Sequence, residues 1–82
     1  RYQGAWRDEL YNGWGVYNHA NGDRYEGYFS NDRRHGRGTY DYANGDKYIG
    51  DWAYGKQNGR GIYTKSNGEK YEGYFSNGIF SQ

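Results

Sequence analysis

Tyr25-Glu26-Gly27-Tyr28-Phe29-Ser30-Asn31-Asp32-Arg33-Arg34-His35-Gly36-Arg37-Gly38-Thr39-Tyr40-Asp41-Tyr42-Ala43-Asn44-Gly45-Asp46-Lys47 is one full period of this chain. Its landmarks recur every 23 residues: Tyr2, Tyr25, Tyr48 and Tyr71, then Gly4, Gly27, Gly50 and Gly73, then Trp6, Phe29, Trp52 and Phe75. Gly-x-Gly-x-Tyr follows as Gly13 to Tyr17, Gly36 to Tyr40 and Gly59 to Tyr63, and Asn-Gly closes each unit at 21–22, 44–45 and 67–68. A fixed period of this size marks a repeat array, in which small units stack on their neighbours and present a long surface.

Within the quoted unit, Tyr25 to Phe29 reads as a strand and Arg37 to Asp41 as its return, with Ser30 to Gly36 as a polar turn. Asn44-Gly45-Asp46 supplies the positive φ that turns the chain into the next unit. The fold expected is all-β: one elongated, twisted antiparallel meander sheet built from 23-residue hairpins, with no helix longer than a turn. The units are 2–24, 25–47, 48–70 and a partial 71–82, one array over 1–82, and the chain reads as a piece of a longer protein. Six main strands are expected, with a seventh near Tyr71–Ser76. That last strand is either an open edge, able to pair with a second molecule, or closed by Asn77-Gly78 onto Ile79-Phe80.

Period-2 alternation puts Tyr2, Trp6, Tyr17, Tyr25, Phe29, Tyr40, Tyr48, Trp52, Tyr63, Tyr71 and Phe75 on one face. The other face is mixed, with Gln3, Ala5, Glu26, Tyr28, Ile49, Asp51, Glu72 and Tyr74. Pairing large residues with absent side chains gives a register in which Trp6 lies opposite Gly15 and Gly4 opposite Tyr17, repeated for Phe29 with Gly38 and Trp52 with Gly61. A single-layer sheet leaves such an aromatic stripe open, and an open stripe of that length calls for a partner.

Composition narrows the function classes. Aliphatic residues are scarce while aromatics make up 22%, and Pro, Cys and Met are absent, so no disulfide or cysteine metal site exists. Net charge is +1 with signs interspersed, which argues against nucleic acid as a partner. The densest basic stretch is Arg33, Arg34 and Arg37, a hairpin-tip group suited to acidic or lipid contact. No apolar run is long enough to span a membrane as a helix. His19 and His35 sit in turns and read as solvated. Asp23, Asp46 and Glu69 follow the Asn-Gly turns and read as turn acceptors or as facing water; their spacing does not gather an oxygen cage for a cation. No catalytic constellation, cofactor or metal site is legible.

The pattern Tyr-x-Gly-x-aromatic, polar turn, Gly-x-Gly-x-Tyr, Asn-Gly-Asp resembles the MORN repeat (membrane occupation and recognition nexus), across essentially the whole chain. The first unit departs in lacking His before its Gly13, and the third has Asn58 where the second has His35. The resemblance implies a non-catalytic scaffold or adaptor that holds a partner helix or peptide along an aromatic groove, sometimes with self-association, in a cytoplasmic setting at cytoskeletal or membrane-associated structures. Phosphoinositide contact is the second reading, and carbohydrate stacking on exposed rings the third.

Overall fold

The computed structural model describes residues 2–81; Arg1 and Gln82, the two ends of the 1–82 array, lie outside the described residues. Among these residues eight strands form one antiparallel sheet in sequential order and no helix occurs. They are β1 (Tyr2–Arg7), β2 (Leu10–Asn18), β3 (Arg24–Ser30), β4 (Arg33–Asp41), β5 (Lys47–Ala53), β6 (Lys56–Thr64), β7 (Lys70–Ser76) and β8 (Ile79–Ser81). The sheet measures 39 × 24 × 14 Å. The last unit therefore takes the closed form, Asn77-Gly78 folding the short β8 back on β7.

The hairpin turns are tighter than the sequence suggests. The return strand of the second unit begins at Arg33, not Arg37, and only Asn31-Asp32 turns the chain. Asp8-Glu9, Asn31-Asp32, Tyr54-Gly55 and Asn77-Gly78 all have positive φ at both positions, between 49° and 84°. This is the pattern of two-residue type I′ turns, whose twist matches that of the flanking strands. The residues read as loop are absorbed by a bulge instead. Gly27 pairs with Gly38 but Phe29 pairs with Arg34, so Tyr28 alone faces the three residues 35–37. Gly36 sits in that bulge at φ +88°, a conformation that suits glycine.

The register differs from the expected one, and the difference exposes the organising feature. Glycine faces glycine. Gly4, Gly15, Gly27, Gly38, Gly50, Gly61 and Gly73 pair in one unbroken row across seven strands. The ring above each pair is the unit's first tyrosine, not Trp6, Phe29 or Trp52. A Cβ built on Gly38 would lie 2.2 Å from the Tyr25 hydroxyl oxygen, and one on Gly61 would lie 2.3 Å from that of Tyr48. A Cβ on Gly27 would lie 2.4 Å from the Gly38 Cα. With the trench clear, Tyr25 lies along it and donates its hydroxyl to Tyr28 O at 2.8 Å; Tyr48 does the same to Asp51 O at 2.9 Å, and Tyr2 to Ala5 O. Trp6, Phe29 and Trp52 instead pair with Tyr11, Arg34 and Gln57, because the bulge has shifted the register by the time the chain reaches them.

The aromatic face covers itself. Phe29, Trp52 and Phe75 each stand edge-on to the first tyrosine of the preceding unit: 5.1 Å to Tyr2, 5.5 Å to Tyr25 and 5.0 Å to Tyr48, at 85–89°. Phe29 and Trp52 stand edge-on to their own unit's tyrosine as well. Edge-to-face packing satisfies the ring quadrupoles, and the herringbone leaves Tyr25 and Tyr48 with no exposed surface and Trp52 with 4%. Trp6, which has no described unit ahead of it, is 56% exposed. The stripe expected to lie open is thus mostly core.

This geometry predicts that Gly27→Ala and Gly38→Ala each cost about 3 kcal/mol, the upper range for forcing extra carbon into a packed site. Gly68→Ala is the reference: its φ is +97° but nothing lies within 4 Å of the added carbon, so it costs about 1 kcal/mol of backbone strain. Thermal melts of the three variants check this. Equal shifts would show that the row is not a seat.

Candidate functional site

The ring-bearing face is shaped by two rails. One is a run of rings where strands enter the inter-unit loops: Tyr17 to His19 at 4.6 Å, His19 to Tyr40 at 5.8 Å, Tyr40 to Tyr42 at 4.5 Å and Tyr42 to Tyr63 at 5.7 Å. His19 and Tyr42 occupy equivalent positions, 23 residues apart, so the run repeats with the units. The other rail is the line of hairpin tips. Each tip leans on the return strand of the unit before it: Asp32 N–H donates to Tyr11 O, Gly55 N–H to Arg34 O and Gly78 N–H to Gln57 O, at 2.9–3.0 Å. Tyr11 N–H in turn donates to Asp32 Oδ1 at 2.6 Å.

Between the rails lie two hollows. The first, about 310 Å³, is lined by Tyr11, Tyr17, His19, Tyr25, Phe29, Asp32, Arg33, Arg34 and Gly55. The second, about 460 Å³, is lined by Arg34, Tyr40, Tyr42, Trp52, Gly55, Lys56, Gln57, Tyr63, Asn77 and Gly78. Arg34 and Gly55 border both. The Arg34 guanidinium rests 4.7 Å from the Trp52 ring centre and 5.0 Å from that of Tyr40, within the reach of a cation–π contact. Its Nη2 donates to Gly55 O at 2.6 Å, while its Nε is buried without a partner. In the next unit Gln57 takes this place, donating Nε2–H to the Tyr42 hydroxyl at 2.8 Å.

The loops are tied together by carboxylates. Asn21 Oδ1 accepts from Asp23 N–H, and Asn44 and Asn67 repeat the turn with Asp46 and Glu69. Asp23 then reaches into the next unit, accepting from Ala43 N–H at 2.7 Å and the Tyr40 hydroxyl at 2.8 Å. Asp46 accepts from Tyr63 at 2.7 Å and Ser66 N–H at 2.8 Å. These two aspartates therefore clamp unit to unit, a role that reading them as turn acceptors alone does not capture. The Ala43 amide and then the Tyr40 hydroxyl hold Asp23 below the usual carboxylate range; Tyr63 and then the Ser66 amide do the same for Asp46. Burial first, and the Asp23 carboxylate second, push Tyr40 up to about 12, and burial pushes Tyr48 up to about 12. His19 is lowered, first by burial and then by the charge of Arg34. It is a groove-lining ring, not the solvated turn residue that its sequence position suggests.

The sequence-predicted residues fall into three groups. Tyr25, Phe29, Tyr40, Tyr48, Trp52 and Phe75 are buried and form the floor. Tyr2, Tyr17 and Tyr63 are half-buried, and Trp6 and Tyr71 are exposed at the two ends of the array. The three arginines do not form one tip patch. Arg34 lies in the groove, Arg33 is exposed beside it, and Arg37 pairs across the sheet with Asp51. Tyr11, His19, Tyr42 and Gln57 line the hollows and are missed by the landmark pattern, as is Phe80, which packs on Tyr71 and Phe75 at the last strand. Tyr11, Arg34, Gln57 and Phe80 share one repeat position, and so do His19 and Tyr42, but their chemistry changes from unit to unit. The signal was the spacing, not the residue type. The opposite face carries separate pairs, Trp14 against Tyr28 and Arg60 over Tyr74, set among Glu26, Arg37, Asp51 and Glu72.

The family model of the MORN repeat matches residues 2–24, 25–47, 48–70 and 71–81, four consecutive repeats. A search of curated proteins found no match.

The clamps set the pH response. Both aspartates have folded values below the ordinary 3.8, so the stability they add is present above that pH and is lost as pH falls through their depressed values. Tyr40 and Tyr48 work in the other direction: their contribution is full below pH 10 and is lost between pH 10 and about 12. Denaturation measured from pH 2 to 5 is expected to show a flatter acid limb in an Asp23→Asn/Asp46→Asn double variant. An acid limb as steep as the parent's would remove the aspartates as its source.

Proposed function

The chain belongs to the MORN repeat family, and on that premise we propose that it is a non-catalytic scaffold holding a helix or peptide of another protein along the hollowed face of its sheet. MORN repeats are protein- or membrane-interaction modules and the family is a non-enzymatic repeat module. The observation that carries the protein reading is the pair of hollows between the two rails, on one face and at equivalent unit junctions. Core-buried rings give them a rigid floor, and half-buried tyrosines offer both apolar edges and hydroxyls, the combination favoured at recognition surfaces.

A helix suits the spacing. Equivalent junctions are two strands apart, about 10 Å, and a helix rises about 10.5 Å in seven residues. An amphipathic segment running along the array axis then offers one apolar group to each hollow. The lipid reading draws less support, because the basic residues that suggested it are divided between two faces.

Once a partner has been captured and its binding segment mapped, Tyr17→Ser and Tyr63→Ser are expected to weaken it about tenfold or more while the array stays folded by circular dichroism. Trp14→Ser and Tyr28→Ser on the opposite face are expected to leave it within about twofold. The reverse pattern would move the interface to the other face. Liposome pelleting that depends on phosphoinositide, and that Arg33→Ala abolishes, would replace the protein reading with the lipid one.

A further inference from the structure

We propose, building on the groove reading above, that Arg34 is the anchor for one carboxylate, so that the segment this groove accepts is apolar with a single Asp or Glu side chain set between its apolar residues. Charge complementarity carries this. Of the charged side chains that line the two hollows, Arg33, Arg34 and Lys56 are cationic and Asp32 alone is acidic. Asp32 is already engaged by the Tyr11 amide. Among the described residues no ion pair involves Arg34; the pairs found join Arg24 to Glu26, Lys47 to Asp41 and Lys65 to Glu69, away from the groove. Arg34 is thus a half-buried cation whose charge is met by ring faces and one carbonyl.

Its hydrogen-bonding capacity is also unspent. Nη2 is used by Gly55 O, Nε is sealed from solvent without an acceptor, and no hydrogen bond among the described residues uses Nη1, which leaves the Nη1–Nη2 end as the edge for an incoming acceptor. A guanidinium resting on rings keeps its planar edge for acceptors, and a carboxylate is the acceptor that fits that fork. Its position makes the site specific, because Arg34 and Gly55 border both hollows. An acid placed between two apolar groups, one in each hollow, therefore meets the same arginine. The same repeat position holds Tyr11, Gln57 and Phe80 in the other units, so the array presents this demand once.

Selection from a phage library of random 16-residue peptides, run in parallel on the parent chain and on Arg34→Gln, tests it. Gln57 stands at the equivalent place in the third unit, so the substitution is compatible with the fold. The expected result is a selected motif with one fixed acid among apolar positions on the parent, and loss of that acid on the variant. Synthetic peptides complete a double-mutant cycle: Glu→Gln in the peptide is expected to weaken binding about tenfold to the parent and not at all to Arg34→Gln. Apolar motifs without an acid, or an acid preference that survives Arg34→Gln, overturn the anchor and leave the groove reading standing. Peptides whose binding is unaffected by Tyr17→Ser and Tyr63→Ser, or no enrichment on either chain, overturn both.

Discussion

A tyrosine ring can lie along a β-sheet only where the residues beneath it have no side chains. In this chain seven glycines in one row, Gly4 to Gly73, meet that condition for Tyr2, Tyr25 and Tyr48, and the rest of the architecture follows from it. The bare trench lets Tyr25 and Tyr48 lie down, their hydroxyls reach backbone carbonyls three residues on, and their faces become the surface against which Phe29, Trp52 and Phe75 stand. Glycine weakens an isolated strand by its conformational freedom, and the ring that replaces the missing side chains offsets that loss. A fold with one leucine, one valine and three isoleucines builds its core this way, from one layer.

The same ring packing decides what is left for recognition. Rings that interlock between units cease to be a surface, and those at the margins become one. Tyr17, His19, Tyr42 and Tyr63 stay half-buried because they stand where strands enter the loops, at the edge of the herringbone. The hairpin tips close the other side by leaning back on the previous unit through one amide each. The groove is therefore a by-product of stacking: its walls exist only where two units meet, and a single hairpin would have none.

The architecture was largely legible in the sequence. The 23-residue period, the period-2 rings and the Asn-Gly turns lead to a sequential antiparallel meander, and that is the topology found. Three things were not legible, each for a physical reason. The two-residue turns at Asp8-Glu9 and Tyr54-Gly55 use residues whose types do not announce positive φ at both positions. The bulge hides because Gly36 reads equally well as turn or as strand. The glycine register is hidden because large-over-small pairing points straight across the strands, whereas the tyrosine reaches its seat diagonally. For the candidate site, the floor and the rim tyrosines Tyr17 and Tyr63 were legible, because fixed residue types mark them. The other rim positions change identity, so neither Arg34's separation from Arg37 nor the place of His19 follows from composition.

That division between fixed and changing positions separates spelling from paper. Every unit commits its landmark tyrosines and glycines to being a unit, and leaves two repeat positions free to differ: Tyr11 and His19, then Arg34 and Tyr42, then Gln57 and Lys65. Those places supply no glycine to the trench and no aspartate to the clamps. The array behaves as a short line of type, two characters per unit, in which a new word is set without recasting the press.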